Sequence, residues 1–121
     1  MRILFVDDDA MNRRVVRDML TVAGVEMDEA EDGQKGLSAV DANDYDLILM
    51  DLRMPGMDGL TAIGQIRQRD DDKKDLPIVV VTADTSVDIR ERCIAGGAND
   101  LMTKPVAMKL LFQQIGKHLG K

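Results

Sequence analysis

Tryptophan is absent from this chain, tyrosine and cysteine occur once each, and there are only two phenylalanines among 121 residues. With aromatics at 2%, the core has to be assembled from Val, Ile, Leu, Met and Ala. The nine methionines suit that task, because an unbranched thioether adapts to irregular gaps; a partner-binding face is the alternative use for some of them. The single Cys93 has no internal disulfide partner and no metal-ligand neighbours. No apolar run approaches the roughly 18 residues of a membrane span. The opening Met1–Val6 turns acidic at once, unlike a signal peptide. Excess basic charge is also lacking. A net charge of −6 argues against nucleic acid or an anionic membrane as direct partner. These features together lead us to expect a cytoplasmic protein.

What the chain does contain is an ordinary globular balance, 45% hydrophobic and 31% charged, with no repeat or linker, so residues 1–121 read as one domain. Apolar runs suited to buried strands alternate with helical patterns. Ile3–Val6, Asp46–Met50 and the β-branched Pro77–Val81 are the clear strands, and Val25–Ala30 and Asp100–Thr103 the weaker ones. Between them, Ala10–Ala23 predicts a helix with an apolar stripe of Met11, Val15 and Met19 beside Val16 and Leu20, stopped by Gly24. Gly36–Ala42, a stretch marked by Leu60, Ile63 and Ile66, Ser86–Ala95, and Val106–Leu119 supply four more. Five successive β-α pairs imply a parallel sheet with helices on both faces. In such sheets ligands bind beyond the carboxyl ends of the strands.

The strand ends carry chemistry. The first is followed by Asp7-Asp8-Asp9, the third by Asp51, the fourth by Thr82 and the fifth by Lys104-Pro105. Each alone has an ordinary reading: Asp9 suits a helix N-cap, Thr82 a strand end, Lys104 a surface charge. Their joint placement at one edge is what points to function. Two carboxylates about 4 Å apart repel by roughly 4 kcal/mol at an effective dielectric near 20. One lysine does not offset three of them, so a hard divalent cation with oxygen ligands is the natural complement, and Mg²⁺ fits a site with few carboxylates. A phosphoryl group in transfer spreads charge over three oxygens. Mg²⁺, the Lys104 ammonium and the Thr82 hydroxyl can each meet part of it, with Asp51 as the acceptor carboxylate.

These residues resemble the receiver domains of response regulators. The matching segments are Ile3–Asp9, Asp46–Gly59, Val79–Ala83 and Ala98–Pro105, which together reach across essentially the whole chain. The resemblance implies a flavodoxin-like doubly wound α/β fold, with five parallel strands in the order 2-1-3-4-5 and five helices. It implies Asp51 as phosphoacceptor, with Thr82 as switch hydroxyl, Ala83 as the small residue leaving space, and Lys104 as phosphoryl partner. For the metal it implies Asp8 as direct ligand, Asp7 through water, Asp51 itself and the backbone carbonyl of Arg53. The Lys104–Pro105 peptide is implied to be cis. The implied function is phosphotransfer signalling from a histidine kinase or a histidine phosphotransfer protein to Asp51. Partner binding then switches through the fourth helix, fifth strand and fifth helix. A receiver is no enzyme beyond its own phosphorylation and dephosphorylation.

Two features set this chain apart. Members of the family commonly carry Tyr or Phe three residues before the lysine, where this chain has Leu101, so a leucine rotamer change or a loop movement after Thr82 has to carry the signal. Arg53 and Asp84, each two residues past a key position, carry opposite charges. They are either a pair across the mouth of the site or two independent surface charges. His118 reads as a favourable charge near a helix C-terminus, and Asp70–Asp75 as a solvated loop. An aspartate-nucleophile phosphatase would want Asp where Arg53 stands, and a nucleotide-binding module would want a Gly-rich phosphate loop. The full set Asp7, Asp8, Asp51, Thr82 and Lys104 argues against a non-phosphorylated pseudo-receiver. The chain is expected to be either a stand-alone regulator, which the start at Met1 favours, or a receiver from a longer protein such as a hybrid kinase.

Overall fold

The computed structural model describes residues 1–119. Five strands, β1 (Arg2–Val6), β2 (Glu26–Ala30), β3 (Leu47–Asp51), β4 (Ile78–Thr82) and β5 (Asp100–Thr103), form one parallel sheet in the order β2-β1-β3-β4-β5. Helices α1 (Ala10–Val22), α2 (Gly33–Ala42), α3 (Gly59–Arg67), α4 (Ile89–Ala95) and α5 (Met108–Leu119) fill the connections. This is the doubly wound order expected from the sequence.

Both faces of the sheet are covered, which is why β1, β3 and β4 are apolar runs rather than alternations. Successive side chains point to opposite faces. Leu4, Val6, Ile48, Met50, Ile78 and Val80 therefore pack toward α2, α3 and α4. Ile3, Phe5, Leu47, Leu49, Val79 and Val81 pack toward Val16 and Leu20 of α1 and Leu111 and Ile115 of α5. Burying each such aliphatic side chain contributes roughly 1.5–3 kcal/mol. Among the described residues no helix is long and apolar enough to cross a membrane.

Register fixes where the strands end. Val6 lies opposite Met50, Asp51 opposite Val81, and Thr82 opposite Thr103. Asp7, Asp51, Thr82 and Lys104 therefore emerge on one rim. The helix starts next to that rim are capped by acids. Asp9 accepts from the Met11 N–H at 2.8 Å, and Asp58 from the Thr61 N–H at 2.8 Å. Gly59 opens α3 hard against the end of β3, where a Cβ would sit 2.1 Å from the Asp51 carbonyl oxygen. Only glycine permits that approach.

Several local expectations are corrected. The second helix begins at Gly33 rather than Gly36, because Asp32 caps the Lys35 N–H at 2.7 Å. The fourth begins at Ile89 rather than Ser86: Ser86 is held outside the helix by Asp84, which accepts from both its N–H and its hydroxyl. The last begins at Met108, not Val106. The solvated loop expected at Asp70–Asp75 holds a 3-10 turn over Asp72–Asp75, anchored by the Lys73 ammonium on the Val40 and Asn43 carbonyls. The α1 stripe is split, since Val16 and Leu20 are buried while Met11 and Val15 are exposed. The methionines divide likewise, with Met27, Met50, Met54 and Met102 buried and Met1, Met11 and Met108 exposed. Cys93 is on a helix as expected, fully buried on α4.

Asp100 is an unanticipated buried acid, 3% exposed. Its carboxylate accepts from Arg90 of α4 at 2.6 Å, from Lys117 of α5 at 2.8 Å and from the Leu101 N–H at 2.8 Å. His118, expected only to favour the helix end, lies 4.0 Å from the same carboxylate and 3.1 Å from Gln114. Burial works against the Asp100 charge, yet Lys117, Arg90 and the Leu101 N–H outweigh it and hold the carboxyl well below its usual range. A depressed folded-state pKa contributes stability above the unfolded value that is lost as pH falls. Asp100→Asn is expected to lower unfolding free energy by about 1–2 kcal/mol at pH 7. In urea titrations that deficit should shrink as pH drops below about 4.

Candidate functional site

The site is built from the rim upward. Asp7 follows β1, and its N–H still pairs with the Ala30 carbonyl of β2 at 3.0 Å. Its side chain is fully buried and accepts from the Asp9 N–H at 2.9 Å and from the Asn12 side chain at 3.4 Å. Arg13 donates to the Asp7 carbonyl at 2.7 Å. Asp51, the last residue of β3, is 5% exposed, while Asp8 faces solvent. One carboxylate oxygen from each of Asp7, Asp8 and Asp51 lies within 4.8 Å of the others.

Lys104 reaches in from the end of β5, with Nζ 3.0 Å from Asp7 and 3.4 Å from Asp51. Its backbone N–H is fixed by the Thr82 carbonyl at 2.8 Å, and the Lys104–Pro105 peptide is cis. Thr82 is almost fully buried, and its Oγ1 accepts from the Asp84 N–H at 3.0 Å. Asp8, Asp51, Arg53, Thr82, Ala83 and Lys104 share the lining of one cleft of about 410 Å³. All seven residues singled out from the sequence therefore meet, six lining the cleft and Asp7 buried beneath them.

Electrostatics makes this cluster incomplete by itself. At about 4.8 Å and an effective dielectric near 20, each pair of carboxylates repels by roughly 3 kcal/mol. Burial and the charge of Asp7 push the Asp51 carboxyl up, against the pull of Lys104. Burial also works against the Lys104 charge, but its contacts with Asp7 and Asp51 prevail and raise its pKa. Three acids therefore face one ammonium. The donor set is all oxygen, two acids buried and one open to solvent, which fits a hard divalent cation that keeps part of its water.

Arg53 and Asp84 are paired, NH2 to Oδ2 at 3.3 Å, although Arg53 is 83% exposed. Of the two readings open from the sequence, the pair is the one the structure adopts. Hydrogen bonds from Ser86, with Arg53 beside them, hold the Asp84 carboxyl below its usual range. Asp84 also lies 3.7 Å from Arg92 of α4. Leu101, in the position of the missing aromatic, is half-buried against the α2-α3-α4 side of the core. Sequence reasoning did not identify Asn12 and Arg13 as supports for Asp7. The only available signal was their position one turn into a helix capped by Asp9.

A doubly wound parallel sheet with acids, a hydroxyl and an ammonium at its carboxyl edge defines the class of α/β proteins that bind ligands at strand ends. Within that class, this chain belongs to the response regulator receiver domain family, which it matches over residues 3–116. It is 36% identical over 115 residues to the sensor histidine kinase RcsC of Salmonella typhimurium, covering 95% of this chain and 12% of that one. It is also 36% identical over 119 residues to the transcriptional regulatory protein HprR of Escherichia coli, covering 98% of this chain and 52% of that one. The hybrid signal transduction histidine kinase G of Dictyostelium discoideum is 35% identical over 120 residues, 98% of this chain but 4% of that protein. The chain thus spans a small part of the kinases it matches. Among solved structures, the receiver domain of the sensor histidine kinase PA1611 of Pseudomonas aeruginosa superposes with a TM-score of 0.90 at 32% identity, covering 99% and 98% of the two chains. That structure has a magnesium ion coordinated in its active-site cleft. The chemotaxis protein CheY4 of Vibrio cholerae gives 0.89 at 29% identity, with 97% of each chain covered. The protein is a two-component signalling module homologous to the receivers of hybrid kinases.

The raised Asp51 pKa has a stability consequence. For a carboxyl raised on folding, the favourable contribution is present below the unfolded value and is lost as pH rises through the folded one. In metal-free buffer, Asp51→Asn is therefore expected to stabilise the fold at pH 7, on the order of 1 kcal/mol. The gain over wild type should shrink as pH falls into and below the ordinary carboxylate range, where Asp51 takes up its proton; urea unfolding across that range checks this.

Proposed function

We propose that this receiver takes a phosphoryl group onto Asp51 from the phospho-His of a histidine kinase or histidine phosphotransfer protein, and that Mg²⁺ assists. The observation carrying this is the Asp51 carboxylate at the cleft rim, 3.4 Å from the Lys104 ammonium and beside Asp7 and Asp8. In the transfer, an Asp51 oxygen forms the new O–P bond as the donor's P–N bond breaks. The electron pair of that bond returns to the imidazole, and the product is an acyl phosphate.

Each group has a part. Lys104, kept protonated by its acidic neighbours, pairs with a phosphoryl oxygen as charge builds there. The Thr82 hydroxyl donates to another, and Ala83 leaves the space that the group needs. Asp8, Asp51, Asp7 through water, and the backbone carbonyl of Arg53 would hold Mg²⁺. Bound there, the ion supplies neutralisation of charge on the phosphoryl oxygens. The chemistry is confined to the receiver's own phosphorylation and dephosphorylation. The readout is a changed affinity for a downstream protein through α4, β5 and α5. The net charge of −6 disfavours nucleic acid as that target. A cytoplasmic location belongs to the same reading, consistent with an acidic chain with a single, buried cysteine.

Incubation with a small-molecule phosphodonor and Mg²⁺, followed by intact mass measurement, is expected to show one added phosphoryl group in wild type and none in Asp51→Asn. An unmodified wild type, or a modified variant, rejects Asp51 as acceptor. We further propose that Arg53, paired with Asp84 before phosphorylation, then stands over the acyl phosphate and hinders attacking water. Arg53→Ala should then shorten the phospho-Asp51 half-life. An exposed pair worth up to about 1 kcal/mol limits the effect to roughly fivefold. Equal half-lives in a phosphate-release assay would reject that role.

A further inference from the structure

Asp84 sits where the cleft meets α4, and it is the most connected acid there. Its backbone N–H donates to Thr82 Oγ1 at 3.0 Å. Its carboxylate accepts from the Ser86 N–H at 2.8 Å and the Ser86 hydroxyl at 2.5 Å. Arg53 reaches it at 3.3 Å and Arg92 of α4 lies at 3.7 Å. Ser86 in turn presents its carbonyl to the Ile89 N–H at 3.1 Å, the first residue of α4. This support matters because α4 is the shortest α-helix among the described residues and its N-cap, Asp88, makes no side-chain capping bond. A seven-residue helix without a cap is stabilised chiefly by its contacts.

We propose that Asp84 is the positioning residue that carries phosphorylation of Asp51 to α4, in place of the aromatic switch that Leu101 cannot supply. The proposal rests on Asp51 being the acceptor. Two forces then act on Asp84 at once. The Thr82 hydroxyl turns to donate to a phosphoryl oxygen, which disturbs the bond it accepts from the Asp84 N–H. The phosphoryl group also places about −1.5 to −2 of charge, where the carboxylate carried −1, closer to Arg53, an exposed side chain free to swing toward it and away from Asp84. Asp84 loses one cation and its backbone anchor together, and it keeps Arg92 and Ser86, both of which lead into α4. The start of α4 shifts with it.

The test uses the whole chain, with beryllofluoride and Mg²⁺ at saturation as the phosphoryl mimic, and backbone amide shifts read by NMR. Each protein is compared with its own free state. In wild type, amides beside the cleft (Leu52, Ala83) and amides of Ile89–Ala95 should both shift. In Asp84→Ala the cleft amides should still shift, showing occupancy, while the α4 shifts fall to less than half. Asp84→Asn keeps an acceptor for Ser86 but loses the charge, and should fall between the two. Undiminished α4 shifts in Asp84→Ala overturn the relay; where that variant does not fold, wild-type α4 shifts in Asp84→Asn overturn it instead. If wild type shows no cleft shifts at all, the acceptor reading fails and the relay falls with it, an outcome distinct from cleft shifts with an unaffected α4.

Discussion

Crowding of like charge at one rim of the sheet is the constraint around which this molecule is organised. Asp7 and Asp51 are both buried, and a third acid stands within 4.8 Å of them, with one lysine between them. Left in water these groups would separate. They are held together because β1 and β3 are buried strands whose hydrogen bonds and apolar faces admit no other register. The large cores on both faces hold the acids in an arrangement that raises the Asp51 pKa and leaves the cluster short of positive charge. A protein built for stability alone would have no reason to keep it; the surplus of negative charge marks a site that could hold a cation.

That constraint explains details that otherwise look unrelated. Gly59 has to be glycine because α3 starts against the Asp51 carbonyl, and that contact fixes the turn that follows the acceptor. The Asp7 side chain is not free to rotate, since Asp9 and Asn12 bond it and Lys104 pairs with it. Asp9 itself serves two purposes, with its backbone on Asp7 and its side chain on the start of α1. Lys104 is nearer Asp7 than Asp51, so the ammonium is positioned chiefly by the more deeply buried of the two acids.

The strands and the rim were legible in the sequence because both depend on local pattern. β-branched runs identify buried parallel strands, and in a parallel sheet all carboxyl ends share an edge, so Asp51, Thr82 and Lys104 had to meet. The pairing of Lys104 with Asp7 was not legible, as it depends on register across four strands. Helix starts were misplaced where a polar side chain decided the matter. Asp32 extended α2 by three residues through a cap, and Asp84 shortened α4 by holding Ser86 in the loop. Asp100 escaped notice because its partners, Arg90 and Lys117, come from two helices whose relative placement no spacing rule predicts. The α1 stripe misled for a different reason: apolar residues at helical spacing mark a face without saying whether the protein's own core covers it.

Helix α4 is thus held by two carboxylates of unlike character. Asp100 is buried at the start of β5, and it binds Arg90 and Lys117 away from the cleft. Chemistry at Asp51 leaves those contacts alone. Asp84 lies at the cleft, shares a hydrogen bond with the Thr82 hydroxyl, and is paired with the exposed Arg53. In the proposed relay α4 is fastened on one side and conditionally fastened on the other, so that its movement is governed by electrostatics rather than by ring packing. With a leucine at the aromatic position, the proposed relay depends on charge at the cleft mouth rather than on a ring.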